Sequence, residues 1–443
     1  MARLMLNASI IATVLATKIL ILPTAALQWY DCGSSALASC TGIILLFQAV
    51  AINSLMTISC VGNGGTTSIS PTAPSSTCTS AVVESIDGNT LPLRSMRLMK
   101  KAVSPLKMGS VTMLDSSKHI LTIGILADIQ HAPVIDGFSW KGQPRYYRYA
   151  LEQARSAARH FQDEKVSLLI NLGDIIDGKC ATAEHGEKAI DNVLDALSEY
   201  THGRILHTYG NHELYVHGRE EIFQKLNIPF VIEDATSELV GYYSFVTNKI
   251  RFIVLDSYDI ALMGRCPETS LKRREAVQWL SVNNPNYPND ENSPKGLNGL
   301  KKRFVAFNGA VGTVQLQWLQ ETLRTAKSNN EKVIVLSHQP ILPGSSSPLC
   351  LIWNFNDVLH VLRQYRCTIM ASFAGHAHRG GYARDEQSGI HFRVFESVLE
   401  TPRPYMTYGF VDIHEDFMQV RGIGECISAI YDFSHMAQAS VQE

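Results

Sequence analysis

Short apolar runs of strand length alternate with amphipathic helical stretches along most of this chain, beginning near His119. Leu121–Ala127 (LTIGILA) is apolar and β-branched-rich, the pattern of a buried strand. Arg148–Asp163 follows as a helix, with Leu151, Ala154, Ala158 and Phe161 on one face. Val166–Ile170 predicts a second buried strand, Ile190–Tyr200 a helix and Arg204–Tyr209 a third strand. Further on, Arg251–Leu255, Val333–Ser337 and Ile369–Ala374 read as strands. Gln315–Ser328 reads as a helix striped by Leu316, Leu319, Leu323 and Ala326. Strands alternating with helices predict an α/β domain of layered type. Between Pro267 and Asn308 the alternation lapses, and the charged, Asn/Pro-rich stretch from Asn283 to Asn298 predicts a surface loop or insertion. No internal repeat at a fixed period is present.

The first hundred residues are a different material. Leu4–Leu27 is apolar except for Lys18 and Pro23, and Cys32–Val83 contains no charged residue. Within the latter, Thr41–Val61 is apolar and Gly62–Ser80 is rich in Ser, Thr, Gly and Pro. Each apolar segment approaches the roughly 20 residues that span a bilayer, but Asn, Gln, Ser and Thr dilute both. Three readings compete: a targeting or signal region, a membrane anchor, or sequence upstream of the true start, with Met96, Met99, Met108 and Met113 as alternative starts. The expected organisation is an extension over 1–113, disordered, targeting or non-native, a catalytic domain over 114–430 and a tail over 431–443.

Composition narrows the function classes. Apolar residues make up 45% and charged residues 18%, enough for a sizeable core. A net charge of −2 gives no electrostatic case for nucleic acid or an anionic membrane surface. Nine cysteines at irregular spacing, with no C-x-x-C pair, argue against a disulfide framework or a zinc ribbon and for thiols of a reducing compartment. The expected location is therefore cytoplasmic, or organellar or membrane-associated if the extension is genuine; the expected assembly is a monomer.

The chemistry lies just past the strand ends. Leu121–Ala127 runs into Asp128-Ile129-Gln130, Val166–Ile170 into Gly173-Asp174, and Arg204–Tyr209 into Gly210-Asn211-His212-Glu213. Val333–Ser337 delivers His338, and Ile369–Ala374 delivers Gly375-His376-Ala377-His378. The carboxyl ends of strands are where α/β folds place their reactive groups. These donors are oxygens and imidazoles without thiolate, a set that suits Mn, Fe, Zn or Mg. Two dications held about 3.5–4 Å apart need a bridging anion, which Asp174 can supply, and such a pair can activate a bridging hydroxide against a phosphoryl group.

The series A-D-I-Q, L-G-D-I-I-D-G, G-N-H-E, S-H-Q-P and G-H-A-H-R-G-G-Y resembles, in that order, the calcineurin-like metallophosphoesterase superfamily. The resemblance covers about Ile123 to Tyr382 and implies an αββα sandwich. It implies one metal on Asp128, Gln130, Asp174 and His378, and a second on Asp174, Asn211, His338 and His376. His212 is implied to stand beside the phosphoryl group as a catalytic residue, stabilising charge or protonating the leaving oxygen, with Glu213 placed to orient it.

Gln130 stands where most of the superfamily has His. A neutral carbonyl donor should favour Mn or Mg over Zn. D-x-Q, together with F-N-G at 307–309 and G-H-A-H-R-G-G-Y, is similar to the manganese-dependent ADP-ribose/CDP-alcohol diphosphatases. That resemblance implies hydrolysis of ADP-ribose, CDP-choline or CDP-glycerol, small-molecule substrates. The alternatives are a phosphomonoesterase or cyclic-nucleotide phosphodiesterase on the same scaffold, or a non-catalytic scaffold protein. Arg145-Tyr146-Tyr147-Arg148-Tyr149 suits either nucleobase contact or helix packing, and Arg379 and Tyr382 are candidates for the second phosphate or the nucleoside. His131, His185, His207, His217 and His391 read as structural or exposed, and Asp136 and Asp177 as turn carboxylates.

Overall fold

The computed structural model describes residues 117–437, together with a short antiparallel pairing of Cys60–Gly62 with Gly65–Thr67 in a separate unit running from Met1 to Lys100. The remaining readings on the N-terminal extension lie outside the described residues. Among the described residues no helix is long and apolar enough to cross a membrane.

A parallel β-α-β-α-β run opens the larger unit: β1 (His119–Leu126), α1 (Tyr149–Asp163), β2 (Leu168–Asn171), α2 (Ala189–Leu197) and β3 (Arg204–His207). Then come β4 (Tyr243–Thr247), β5 (Ile250–Val254), α3 (Leu271–Asn283), α4 (Thr313–Ser328), β6 (Lys332–Ser337), α5 (Phe355–Gln364) and β7 (Ile369–Ala374). Five strands close the fold: β8 (Arg379–Arg384), β9 (His391–Glu396), β10 (Thr407–His414), β11 (Phe417–Gly424) and β12 (Ala429–Asp432). They form two six-stranded sheets, ordered β12-β11-β10-β1-β2-β3 and β4-β5-β6-β7-β9-β8. In the second, β5, β6, β7 and β9 are parallel and the edges β4 and β8 are antiparallel.

Burial on both faces explains why the central strands lack polar alternation. Ile123, Ile125 and Ile170 of the first sheet meet Phe252, Ile334 and Phe373 of the second in one buried cluster. On the outer face of the first sheet, Ala154, Ala158 and Phe161 of α1 and Val193 of α2 pack on Leu126 and Leu169. Leu319 and Leu323 of α4, with Val358 and Leu362 of α5, cover Ile253, Val335 and Phe392 of the second. The result is the αββα sandwich that the motifs implied.

Two departures stand out. The lapse after Pro267 contains a helix, α3, over Leu271–Asn283, ahead of the stretch to Asn298, which is loop as expected. Ser270 caps it, its Oγ accepting the Arg273 N–H at 2.9 Å. Its buried positions are Lys272, Ala276 and Leu280. The Lys272 ammonium reaches Asp259 at 2.7 Å and Glu233 at 3.0 Å, so a charged residue sits within the buried stripe and disguises its period. Past residue 430 the chain remains packed: β12 ends at Asp432, Phe433 is buried, and His435 Nε2 hydrogen-bonds the Ile369 carbonyl at 2.9 Å.

Candidate metal centre

The candidate donors leave their strands through unusual backbone. Asp128, Gln130, Asp174 and His376 have φ of 51°, 46°, 53° and 64°, in the left-handed region where a β ladder cannot continue. Each sharp exit turns a side chain across the end of the sandwich. Glycines make room beside them. Gly173 has φ of +91°, and a Cβ on Gly210 would lie 2.0 Å from Asp174 Oδ1 and 2.6 Å from His338 Nε2. Only a bare backbone can pass there.

The imidazoles converge. His338 Nε2 lies 3.1 Å from His376 Nδ1 and 3.3 Å from Asp174 Oδ2. The ligand atoms of Asp174, His338 and His376 lie within 4.8 Å of one another. On the other side, His378 Nε2 stands 3.5 Å from Asp128 Oδ1, and Asp128 accepts the His376 N–H at 2.9 Å. Asn211 opens the short helix Asn211–Val216, and its Oδ1 accepts the Tyr258 hydroxyl at 3.1 Å.

Each imidazole is oriented from behind. His338 Nδ1 donates to the Leu172 carbonyl at 2.7 Å, His376 Nε2 to Asn308 Oδ1 at 2.9 Å and His378 Nδ1 to Glu400 Oε1 at 2.8 Å. These bonds leave the opposite nitrogen of each ring with its lone pair toward the cluster, as metal-ligating histidines require. Glu400 and Tyr258 were not among the sequence candidates. Glu400 comes from an aperiodic loop with no signal to find. Tyr258 follows β5, and the strand-end rule applied there would have pointed to it.

Electrostatics fit a cation-binding cluster. Burial disfavours charge on His338, but Asp174 outweighs this and raises its pKa to about 9. Burial would also raise Asp174, yet His338 and His212 hold it well below the usual carboxylate range. Burial, with His338 adding to it, pushes His376 well below an ordinary histidine. For Asp128, burial wins over His378 and His338 and the pKa rises. Oxygen and imidazole donors compressed in this way suit divalent ions, which would neutralise the carboxylates without protons.

Two local expectations change. Glu213 does not orient His212; burial raises its pKa to about 7, and its carboxylate accepts the N–H groups of Asp174, Ile175 and Gly210 at 3.1, 2.5 and 2.6 Å. It thus ties two donor loops together. His212 Nδ1 instead accepts the Gly178 N–H at 2.7 Å, which places the ring proton on Nε2, 3.9 Å from Asp174 Oδ2. Gln130 sits among the donors, but its Oε1 accepts from Arg145 Nη1 at 2.6 Å. Its Nε2 is the atom turned to Asp174 Oδ2 and His378 Nε2, both at 3.1 Å. Rotating the amide by half a turn exchanges the two atoms.

Above the cluster opens a cavity of about 960 Å³. Trp140, Tyr147, Phe307 and Cys350 line it, as do Lys141, Arg145, Lys179 and Arg379. Arg145 therefore parts from Tyr149, which is buried and donates its hydroxyl to the Tyr405 carbonyl at 2.8 Å. Tyr382 stacks on His391 and Tyr431, while Arg379 reaches the cavity. His131, His207 and His391 are buried with partners of their own, as structural histidines are.

Residues 121–380 match the family model of the calcineurin-like phosphoesterases. The crystal structure of a dimetal phosphatase from Danio rerio superposes with a TM-score of 0.67 at 32% identity, covering 72% of this chain and 100% of that one. The chain belongs to the calcineurin-like phosphoesterase family. More particularly, it is 37% identical over 309 residues to the manganese-dependent ADP-ribose/CDP-alcohol diphosphatase of Oryza sativa subsp. japonica, across 69% of this chain and 92% of that protein. The Homo sapiens protein of the same name is 36% identical over 331 residues, across 72% and 94%.

Proposed function

We propose that this enzyme hydrolyses the pyrophosphate bond of a nucleoside diphosphate linked to a sugar or an alcohol. ADP-ribose would give AMP and ribose 5-phosphate; CDP-choline or CDP-glycerol would give CMP and the phosphorylated alcohol. The observation that carries this reading is the convergence of Asp174, His338 and His376 beneath a cavity of nucleotide size. The names of the relatives supply the substrate class and manganese.

Asp128, Gln130, Asp174 and His378 would hold one ion, and Asp174, Asn211, His338 and His376 the other, with Asp174 shared. Two dications in this position supply Lewis acidity and an activated water for in-line attack. To offer Oε1 to an ion the Gln130 amide would have to make the half-turn described above, and would then give up the bond it accepts from Arg145 Nη1. His212, carrying its proton on Nε2, donates to a phosphoryl oxygen as charge builds or passes the proton to the leaving oxygen. A phosphate is a good leaving group, so His212 contributes more by holding charge than by acid catalysis. Trp140 and Phe307 offer aromatic faces to a base.

Turnover of ADP-ribose, CDP-choline, cyclic AMP and a generic phosphomonoester with added manganese tests the proposal. It predicts that the two diphosphates react at least 100-fold faster in kcat/KM. Reaction of the monoester alone would replace it with a phosphomonoesterase, and of cyclic AMP alone with a cyclic-nucleotide phosphodiesterase.

A further inference from the structure

We propose that Arg145 binds the phosphate that is not attacked and thereby selects diphosphates over simple phosphodiesters; this rests on the diphosphatase reading above. Arg145 ends the second strand of a two-stranded ribbon, Gly137–Phe138 paired with Pro144–Arg145, which forms a wall of the cavity. Its side chain is 16% exposed, whereas Lys141, Lys179 and Arg379 on the same cavity are exposed. A guanidinium withdrawn from water needs anionic or hydrogen-bonding partners. Arg145 has few. Its Nη1 donates to the neutral Gln130 amide at 2.6 Å, Asp177 Oδ2 stays at 3.8 Å, and Nε is buried with no partner. The buried Arg219, whose Nε is likewise without a partner, differs in meeting a carboxylate, Asp256, at 2.7 Å.

Position specifies the ligand. Gln130 touches Arg145 with one amide atom and Asp174 with the other, so the guanidinium stands one side chain from the donor cluster. An anion on Arg145 is then the neighbour of a phosphoryl group at the cluster, as the second phosphate of a pyrophosphate is. The planar guanidinium fork matches two phosphate oxygens, which a lysine ammonium does not.

The test compares wild type, Arg145→Ala and Arg145→Lys with manganese saturating. kcat/KM is measured for ADP-ribose and for bis(p-nitrophenyl) phosphate, a diester with no second phosphate; manganese affinity is measured separately by the paramagnetic resonance of the free ion. Arg145→Ala should lower the ratio of ADP-ribose to diester kcat/KM at least 30-fold, chiefly through KM. Arg145→Lys should lower it less, and manganese affinity should change less than threefold in both. Equal losses on the two substrates would overturn the proposal, and so would a tenfold loss of manganese affinity, which would make Arg145 a support for Gln130. Either result leaves the diphosphatase reading standing. Wild type that turned over the diester but not ADP-ribose would remove that reading and this proposal together.

Discussion

At the scale of single residues, the candidate donors were visible because polar side chains interrupt apolar strands, and few pressures except chemistry put Asp, Asn and His there. The backbone adds independent support. Left-handed φ at Asp128, Gln130, Asp174 and His376 costs on the order of 1 kcal/mol or more at each, and such conformations cluster at functional sites. What the sequence concealed were the partners behind the donors. Glu400 contacts His378 from a loop whose spacing carries no period, whereas Asn308, behind His376, lay in the F-N-G motif and Tyr258, behind Asn211, just past a strand end. Gln130 is the residue with the sharpest consequence. Gln130→His should raise zinc affinity relative to manganese at least tenfold, because imidazole is the softer donor. Competitive titration of the purified variant with the two ions checks this; an unchanged ratio would remove Gln130 from the account of metal choice.

Elements were legible wherever burial was two-sided or a stripe was apolar. The strands β1, β2, β3, β5, β6 and β7 and the helices α1, α2 and α4 follow the pattern to within a few residues. α3 escaped because its buried face is one residue wide and contains Lys272, whose charge is met by Glu233 and Asp259. Leu280 is fully buried on that face. Leu280→Ala should cost about 2–5 kcal/mol of unfolding free energy, measured by urea denaturation, whereas an exposed loop position would cost less than about 0.5 kcal/mol. The order of the strands was not legible either. β10, from late in the sequence, pairs with β1, and no local pattern encodes a contact between residues 284 to 295 positions apart.

For the whole molecule, the C-terminal boundary and the pH response carry the predictions. A chain ending at 430 loses the second half of β12 and the buried Tyr431, Phe433 and His435. It should melt well below a chain ending at 437, by differential scanning calorimetry; equal melting temperatures would return 431–437 to the status of a tail. Burial lowers the pKa of His207 to about 4, and of His391, burial being its largest cause, to about 4. An unfolded histidine titrates near 6.5, so between these values the unfolded chain binds more protons than the folded one. The stability contributed by keeping them neutral is complete above about pH 6.5 and is lost as pH falls toward 4. Each accounts for on the order of 2–3 kcal/mol at the low end. Glu213, with its pKa raised to about 7, acts in the opposite sense over the same window, so the test compares slopes: between pH 7 and pH 4.5 the unfolding free energy from urea titration should fall more steeply in wild type than in a His207→Gln/His391→Gln variant, and equal slopes would contradict the assignment of both histidines as buried and neutral.

Counting metal tests the proposed two-ion centre, with Asp174 shared between the ions, directly. Wild type equilibrated with manganese and freed of excess ion should carry two equivalents per chain and hydrolyse ADP-ribose. Asp174→Ala should lose both ions and at least 1,000-fold in kcat/KM while remaining folded by circular dichroism. A folded Asp174→Ala protein that kept two equivalents of manganese, or a wild type that bound none, would rule out a shared two-ion centre.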